Sequence, residues 1–144
     1  MITINNYIWI FGENLGKTAN DNSFYLWKHI VNIDDGIDKY LVLEKNDSTM
    51  RRYNGFSSHE KKFVLWKNSY KHFRKYLDAD LFFVTTNYRD ITPTKFLFRE
   101  FNMRLKKPFI NLQRGANGII RLNETGFAYG NNILRFIVYN ESIL

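Results

Sequence analysis

Three loops of this 144-residue chain hold residues whose types could do chemistry on an anion. The first loop, 12–17, carries glycines at both ends of a short turn and leads to Asp21, Asn22 and Ser23, where a helix is expected to begin. Glycines allow tight turns, and a helix N-terminus presents free backbone N–H groups to an anion. The same residues also suit an ordinary turn and a capped helix. The glycine spacing matches neither a dinucleotide-binding motif nor a P-loop, so no cofactor is predicted.

The other two loops follow later apolar segments. Loop 85–90 is polar and is interpreted as an ordinary polar loop. Loop 113–118 places Gln113, Arg114 and Gly115 after a predicted strand. The guanidinium of Arg114 could bind two phosphate oxygens at once, or it could pair with a surface carboxylate. Both interpretations of Arg114 stay open at this point.

Other kinds of site are excluded by residue type. The chain has no cysteine, which excludes disulfides, thiolate nucleophiles and cysteine-bound metals and fits a reducing, cytoplasmic setting. His29, His59 and His72 lie at no metal-ligand spacing, so neither a metal site nor a Ser-His-Asp triad is predicted. The apolar stretch 7–11 is far shorter than the roughly 20 residues of a membrane span, and no signal peptide is visible.

The elements that must position these loops alternate between strands and helices. Asp21 or Asn22 is expected to cap the first helix. Alternation of this kind predicts one Rossmann-like, three-layer α/β domain over residues 1–144, with a mostly parallel sheet and right-handed crossovers. The predicted strands are 7–11, 39–44, 62–66, 79–85, 109–112 and 133–139. The predicted helices are 22–33, 69–77 and 92–106, and a short helix or an irregular connection is predicted at 49–53.

The helix predicted at 69–77 is amphipathic by its 3.6-residue period. Its apolar side is predicted to be Tyr70, Phe73, Tyr76 and Leu77. Its outer side is predicted to be Lys71, His72, Arg74 and Lys75.

Charge is concentrated in the middle of the chain. Residues 1–48 carry four Lys or Arg against seven Asp or Glu, whereas residues 49–114 carry fifteen against five. Such a region attracts polyanions, whether phosphates, anionic lipids or nucleic acid, and it also suits a solvated surface. Arg104, Lys106 and Lys107 end a basic, aromatic segment and are the predicted contacts to a membrane or polyanion. No nucleic-acid-binding signature is present, so nucleic acid is not a predicted partner.

Two blocks of residues together resemble a known family. The first is Trp-Ile-Phe-Gly-Glu at 9–13 with Gly16, followed by Asp-Asn-Ser at 21–23. The second is Ile-Asn-Leu-Gln-Arg-Gly at 110–115, which is similar to a Leu-Gln-His-Gly turn. In this order they resemble the CDP-glycerol glycerophosphotransferase family, which comprises the teichoic acid polymerases and their relatives. The weaker likeness of 136–141 extends the match over nearly the whole chain.

The resemblance implies a function. The chain would be the N-terminal, acceptor-side half of a GT-B transferase in teichoic acid or related cell-surface polymer synthesis, at the cytoplasmic face of the membrane. Its partners would be a polyol-phosphate or sugar acceptor, free or lipid-linked, and a CDP-alcohol donor held by a second domain that these residues do not include. No turnover is therefore expected from this chain alone. The residues implied to line the acceptor side are Gly12, Glu13, Gly16, Asp21, Asn22, Ser23, Gln113 and Gly115.

Arg114 departs from the family pattern. It occupies the position of the histidine thought to act as base, and a guanidinium cannot accept a proton at physiological pH. The alternative function is a non-catalytic module whose basic middle region binds anionic lipid or a polyanionic polymer.

Overall fold

The computed structural model describes residues 6–94 and 107–113, together with the backbone of 133–138. The described residues form one sheet of six strands in the order β3-β2-β1-β4-β5-β6, with every pairing parallel. The predicted Rossmann-like α/β fold with a parallel sheet is therefore confirmed. The strands are β1 (Tyr7–Gly12), β2 (Ile37–Leu43), β3 (Val64–Trp66), β4 (Leu81–Val84), β5 (Phe109–Gln113) and β6 (Ile133–Val138).

Four α-helices connect the described strands. They are α1 (Asn22–Ile30), α2 (Asp47–Asn54), α3 (Ser58–Lys62) and α4 (Tyr70–Asp78). A short helix or an irregular connection was predicted between β2 and β3. The structure has two helices there, α2 and α3, and Asn46 and Ser57 each start one with a capping box. Asp21 caps α1 as predicted. Most of the helix predicted at 92–106 lies outside the described residues. None of the helices in the described ranges is long and apolar enough to cross a membrane.

Both faces of the sheet are buried, which explains the continuous apolar runs of its strands. Phe11 and Leu41 point toward the face that α1 covers, where they pack with Trp27. Ile10 and Val42 point toward the opposite face, which α4 covers. The apolar side chains of the strands therefore divide between two cores. Buried polar side chains also occur within the strands, at Lys39 in β2 and at Asn111 in β5.

The orientation of α4 differs from the prediction. Its buried residues are His72 and Tyr76, whereas Tyr70 is 78% exposed and Leu77 is 41% exposed. The prediction was wrong for His72, Tyr70 and Leu77. The imidazole can be buried because both of its nitrogens have partners: Nδ1 accepts the N–H of Asn68 at 3.0 Å, and Nε2 donates to the carbonyl of Ile91 at 2.7 Å.

Candidate functional site

The strand order changes direction between β1 and β4. β1 is followed in sequence by β2 on one side, and β4 lies on its other side. In open parallel sheets, ligands bind outside the carboxyl ends of the strands at such a switch point. Residues 13–21 follow β1 and are called the β1 loop, and residues 85–93 follow β4 and are called the β4 loop. These two loops form the candidate site.

Gly12, at the end of β1, touches the β4 loop directly. A Cβ atom placed on Gly12 would lie 2.5 Å from the carbonyl oxygen of Asp90 and 2.7 Å from Cγ2 of Ile91. Real Cβ atoms do not approach backbone that closely, so only glycine fits here. The sequence suggested a tight turn as the reason for this glycine, and the structure gives close packing of two loops instead.

Glu13 is fully buried and binds the start of α1. Its Oε1 accepts hydrogen bonds from Thr18 Oγ1 at 3.0 Å and from the N–H groups of Asn20 at 2.6 Å and Asp21 at 3.1 Å. Its Oε2 accepts from the N–H groups of Asp21 at 3.0 Å and Phe24 at 3.2 Å. The carboxylate of Glu13 thus occupies the position at the N-terminus of α1 where an external anion would bind. Groups of residues 18–24 donate all of these hydrogen bonds.

The remaining N–H groups at the start of α1 also have acceptors. The N–H of Asn22 donates to the side chain of Asp21 at 2.8 Å. The N–H of Ser23 donates weakly to Thr85 Oγ1 at 3.4 Å, and that hydroxyl donates to Ser23 Oγ at 2.9 Å. Of the two interpretations that the sequence left open, the structure has the capped helix, so these N–H groups are not free for an external anion. Ser23 is fully buried, and it joins the helix to the β4 loop.

Asp90 has the corresponding role in the β4 loop. It is fully buried, and its Oδ2 accepts the N–H groups of Thr85 at 3.1 Å, Thr86 at 2.8 Å and Asn87 at 3.3 Å. Its Oδ1 accepts the N–H of Leu15 in the β1 loop at 2.9 Å. Sequence reasoning treated 85–90 as an ordinary polar loop and missed this residue. An Asn at 87 followed three residues later by an Asp is the capping pattern that could have indicated it.

Burial and hydrogen bonding act in opposite directions on these two carboxyl groups. Desolvation raises the pKa of Glu13 and of Asp90, while the backbone N–H groups that each one accepts lower it. Burial has the larger effect in both cases.

The β1 loop takes an unusual backbone path. Asn14, Leu15 and Gly16 have φ values of 44°, 59° and 85°, in the left-handed region. For Leu15 this conformation is costly, and backbone strain of this kind concentrates at functional sites. The Gly16 carbonyl accepts the N–H of Glu44 at 2.8 Å, which ties the loop to the end of β2.

Lys67 connects this strained turn to the β4 loop. It directly follows β3, and its ammonium donates to the carbonyl of Leu15 at 2.6 Å and to the carbonyl of Arg89 at 3.3 Å. Sequence reasoning did not identify Lys67, because a single lysine after a short strand carries no pattern.

Asn111 supports the same edge from β5. It is fully buried, and its Nδ2 donates to the carbonyl of Thr86 at 3.2 Å. Its Oδ1 is also buried and has no hydrogen-bond donor among the residues that the structure describes. Gln113 ends β5 two residues further on, beyond the level at which Asn111 pairs with Val84. Its backbone therefore reaches the edge that holds the two loops.

The predicted site residues thus fall into groups. The structure brings together six of them at the end of β1: Gly12, Glu13, Gly16, Asp21, Asn22 and Ser23. Arg114 and Gly115 lie outside the described residues, as do the predicted membrane contacts Arg104 and Lys106. Lys107 is described, and its ammonium donates to the carbonyls of Tyr76 and Leu77 near the end of α4. It is therefore engaged within the chain.

The fold and this edge define a class of protein, a Rossmann-like α/β domain whose candidate ligand edge lies between β1 and β4. A comparison of the chain with family models, curated proteins and solved structures finds no match.

Proposed function

We propose that the chain forms the acceptor-side half of a glycerophosphotransferase-like enzyme of cell-surface polymer synthesis, as its resemblance to the CDP-glycerol glycerophosphotransferase family implies. One observation carries the proposal. The loops after β1 and β4 are joined at the switch point of a parallel sheet by the bond from the Leu15 N–H to Asp90. Ligands of such sheets bind at this position.

The residues that carry the resemblance also have physical roles at this edge. Gly12 admits the β4 loop, and Glu13 with Asp21 organises the start of α1. These roles support the proposal, because a transferase needs its acceptor loops held in one arrangement before substrate binds.

The proposed role of Arg114 is to stabilise negative charge on the phosphoryl group during the reaction. In the proposed reaction, an acceptor hydroxyl attacks the phosphorus next to glycerol in the CDP-alcohol, the bond from that phosphorus to the CMP oxygen breaks, CMP leaves, and the hydroxyl proton passes to water. A guanidinium cannot take the proton of that hydroxyl, but it can offset the negative charge that develops on the phosphoryl oxygens. The donor would be bound by a second domain, so this chain is expected to bind acceptor without turning over.

Binding measurements test the proposal. Calorimetry should show saturable binding of a glycerophosphate-primed lipid in detergent micelles and none of CDP-glycerol. Arg114→Gln should weaken acceptor binding by about tenfold, the loss of one charged hydrogen bond. Arg74→Gln on the exposed side of α4 is the matched control and should leave binding unchanged. Saturable CDP-glycerol binding without acceptor binding would contradict the proposal, and robust turnover by this chain would overturn its assignment as one half.

The second candidate is the basic module that binds anionic lipid or polymer. It is favoured by six exposed cations in the described part of the basic middle region, namely Arg51, Arg52, Lys62, Lys71, Arg74 and Arg89. Flotation with anionic liposomes should then fall with salt and after Arg104→Glu with Lys106→Glu. Lys107 is a poor choice for this test because its ammonium is bound at the end of α4. Salt-independent flotation, or no flotation, would remove this candidate.

A further inference from the structure

The Lys67 ammonium lies between the two loops of the candidate site. Its two hydrogen bonds go to neutral carbonyls, those of Leu15 in the β1 loop and Arg89 in the β4 loop. An ammonium has three N–H donors, so one remains without an acceptor in the described part of the chain. The stem of the side chain passes close to Gly16, where a Cβ would lie 3.5 Å from Lys67 Cδ.

This ammonium has no counter-ion in contact. Among the described residues, no carboxylate oxygen lies within the 4.0 Å that defines an ion pair with Lys67. Asp90 is nearby, but four backbone N–H groups occupy its carboxylate. A partly buried charge without a paired opposite charge is unfavourable, and an anionic ligand would relieve the cost.

A second cation follows the turn to which Lys67 donates. Lys17 directly follows Gly16, is exposed, and makes no side-chain hydrogen bond to the described residues. Desolvation has the largest effect on the pKa of Lys67 and lowers it, and the charge of Lys17 also lowers it. The carboxylates of Glu44 and Asp90 act in the opposite direction.

The usual anion position of such a fold is closed in this chain. The N-terminus of α1 would be the expected phosphate site, but Glu13, Asp21 and Thr85 already accept its first N–H groups. An external anion therefore needs donors elsewhere on the same edge.

We propose that Lys67 and Lys17 together bind the phosphate group of a phosphomonoester between the β1 loop and the β4 loop. Lysine binds phosphate as a point charge with rotatable donors, which suits an ammonium that keeps one N–H free. The identity of the ligand as a polyol phosphate rests on the proposed function, whereas the site rests on the two lysines.

NMR titration of the ¹⁵N-labelled chain with inorganic phosphate, glycerol 3-phosphate and glycerol tests the site. Both phosphates should shift the amide resonances of the β1 loop and of Lys67, and glycerol should not. Lys17→Gln and Lys67→Gln should each weaken phosphate binding by about tenfold. Lys71→Gln is the matched control, because it also removes a cation that donates to a backbone carbonyl, that of Lys62, and it should leave binding unchanged.

Two further variants sharpen the test. Glu44→Gln removes the nearby exposed acid and should tighten phosphate binding by about threefold, the size of an exposed charge interaction. Lys67→Gln also removes two bonds that join the loops and could impair folding. Lys17→Gln decides the matter in that case, since the exposed Lys17 side chain makes no bond that holds the loops.

The outcomes separate this inference from the proposed function. Phosphate binding that is unchanged in Lys17→Gln overturns the site, even if the primed lipid still binds. Tighter binding of glycerol 3-phosphate than of inorganic phosphate, lost in both lysine variants, supports the site and its ligand. Loss in the variants with equal affinity for the two phosphates supports the site and contradicts its assignment to a polyol phosphate.

Discussion

The β1 loop and the β4 loop are each built around one buried carboxylate, but the two carboxylates connect different parts of the chain. Glu13 is the first residue of the β1 loop, and the groups that donate hydrogen bonds to it belong to residues 18–24, which follow it closely in sequence. Asp90 stands near the end of its loop and binds both its own loop and Leu15, which is 75 residues away. The β1 loop can therefore organise the start of α1 locally, but its position in the site depends on the β4 loop.

Asp90→Asn should have the largest effect. The amide would present an NH₂ group to N–H donors that now share a carboxylate, and we expect the free energy of unfolding to fall by about 4 kcal/mol. Urea unfolding measures the loss, and hydrogen exchange should speed up at Leu15 as well as at Thr85 and Thr86. The exposed Asp34→Asn is the control. Faster exchange confined to the β4 loop would break the comparison, because Asp90 would then not hold the β1 loop.

Gly12→Ala tests the point where the loops touch. The added methyl group would meet the backbone of Asp90 at 2.5 Å, and we expect a loss of about 3 kcal/mol, the upper end of the range for overpacking. Gly55→Ala is the matched control, because its Cβ would lie at 3.4 Å from the nearest backbone oxygen. Equal losses for the two variants would contradict the close packing at Gly12.

His72 should make the β4 loop sensitive to pH. Desolvation lowers the pKa of its imidazole from 6.5 to about 4, against the hydrogen bond to Ile91, and the charge of Lys67 adds to the lowering. Below pH 6.5 the unfolded chain therefore binds a proton that the folded chain does not, so stability falls as the pH falls toward 4. The expected loss is about 3 kcal/mol in total.

The same pH window contains an opposing contribution. Because burial raises the pKa of Glu13 and Asp90, those groups favour the folded state at low pH and lose that contribution as the pH rises. The difference between the stability curves of the wild type and His72→Gln isolates the histidine. A difference that does not change between pH 7 and pH 4 would contradict the burial of a neutral His72.

Glu13→Gln should have the smallest effect of the four. One amide oxygen remains to accept hydrogen bonds, and most of the affected donors lie in a partly buried loop next to a helix start, so we expect a loss of about 2 kcal/mol. Faster hydrogen exchange should be confined to residues 18–24. Glu44→Gln, at the end of β2, is the control. Faster exchange at Thr85 and Thr86 would show that Glu13 couples the loops in the same way as Asp90.

The parts of the fold that could be predicted depend on neighbours in sequence. The run Tyr7-Ile8-Trp9-Ile10-Phe11 predicts a strand buried on both faces, and Asp21 predicts a helix cap, because each signal is complete within a few residues. The orientation of α4 could not be predicted, because helical periodicity assigns a histidine to the polar side. His72 is buried since its partners Asn68 and Ile91 surround it.

The candidate site shows the same division. The sequence pointed to Gly12, which ends β1, and to residues 21–23, which lie at the start of α1. It did not indicate Asp90 or Lys67, whose partners come from loops that the sheet brings together. The sequence around a polar loop residue contains no pattern that shows whether the side chain is solvated or buried.

The amino-acid sequence by itself determined the order of strands and helices, the parallel sheet and the edge at which ligands are to be sought, because hydrophobic period and capping are local properties of the chain. The tertiary structure decided which polar groups are internal, which helix N-terminus is already occupied and which lysine faces the loops. Those outcomes depend on hydrogen bonds between residues that are far apart in sequence, and only the folded sheet brings such residues within bonding distance.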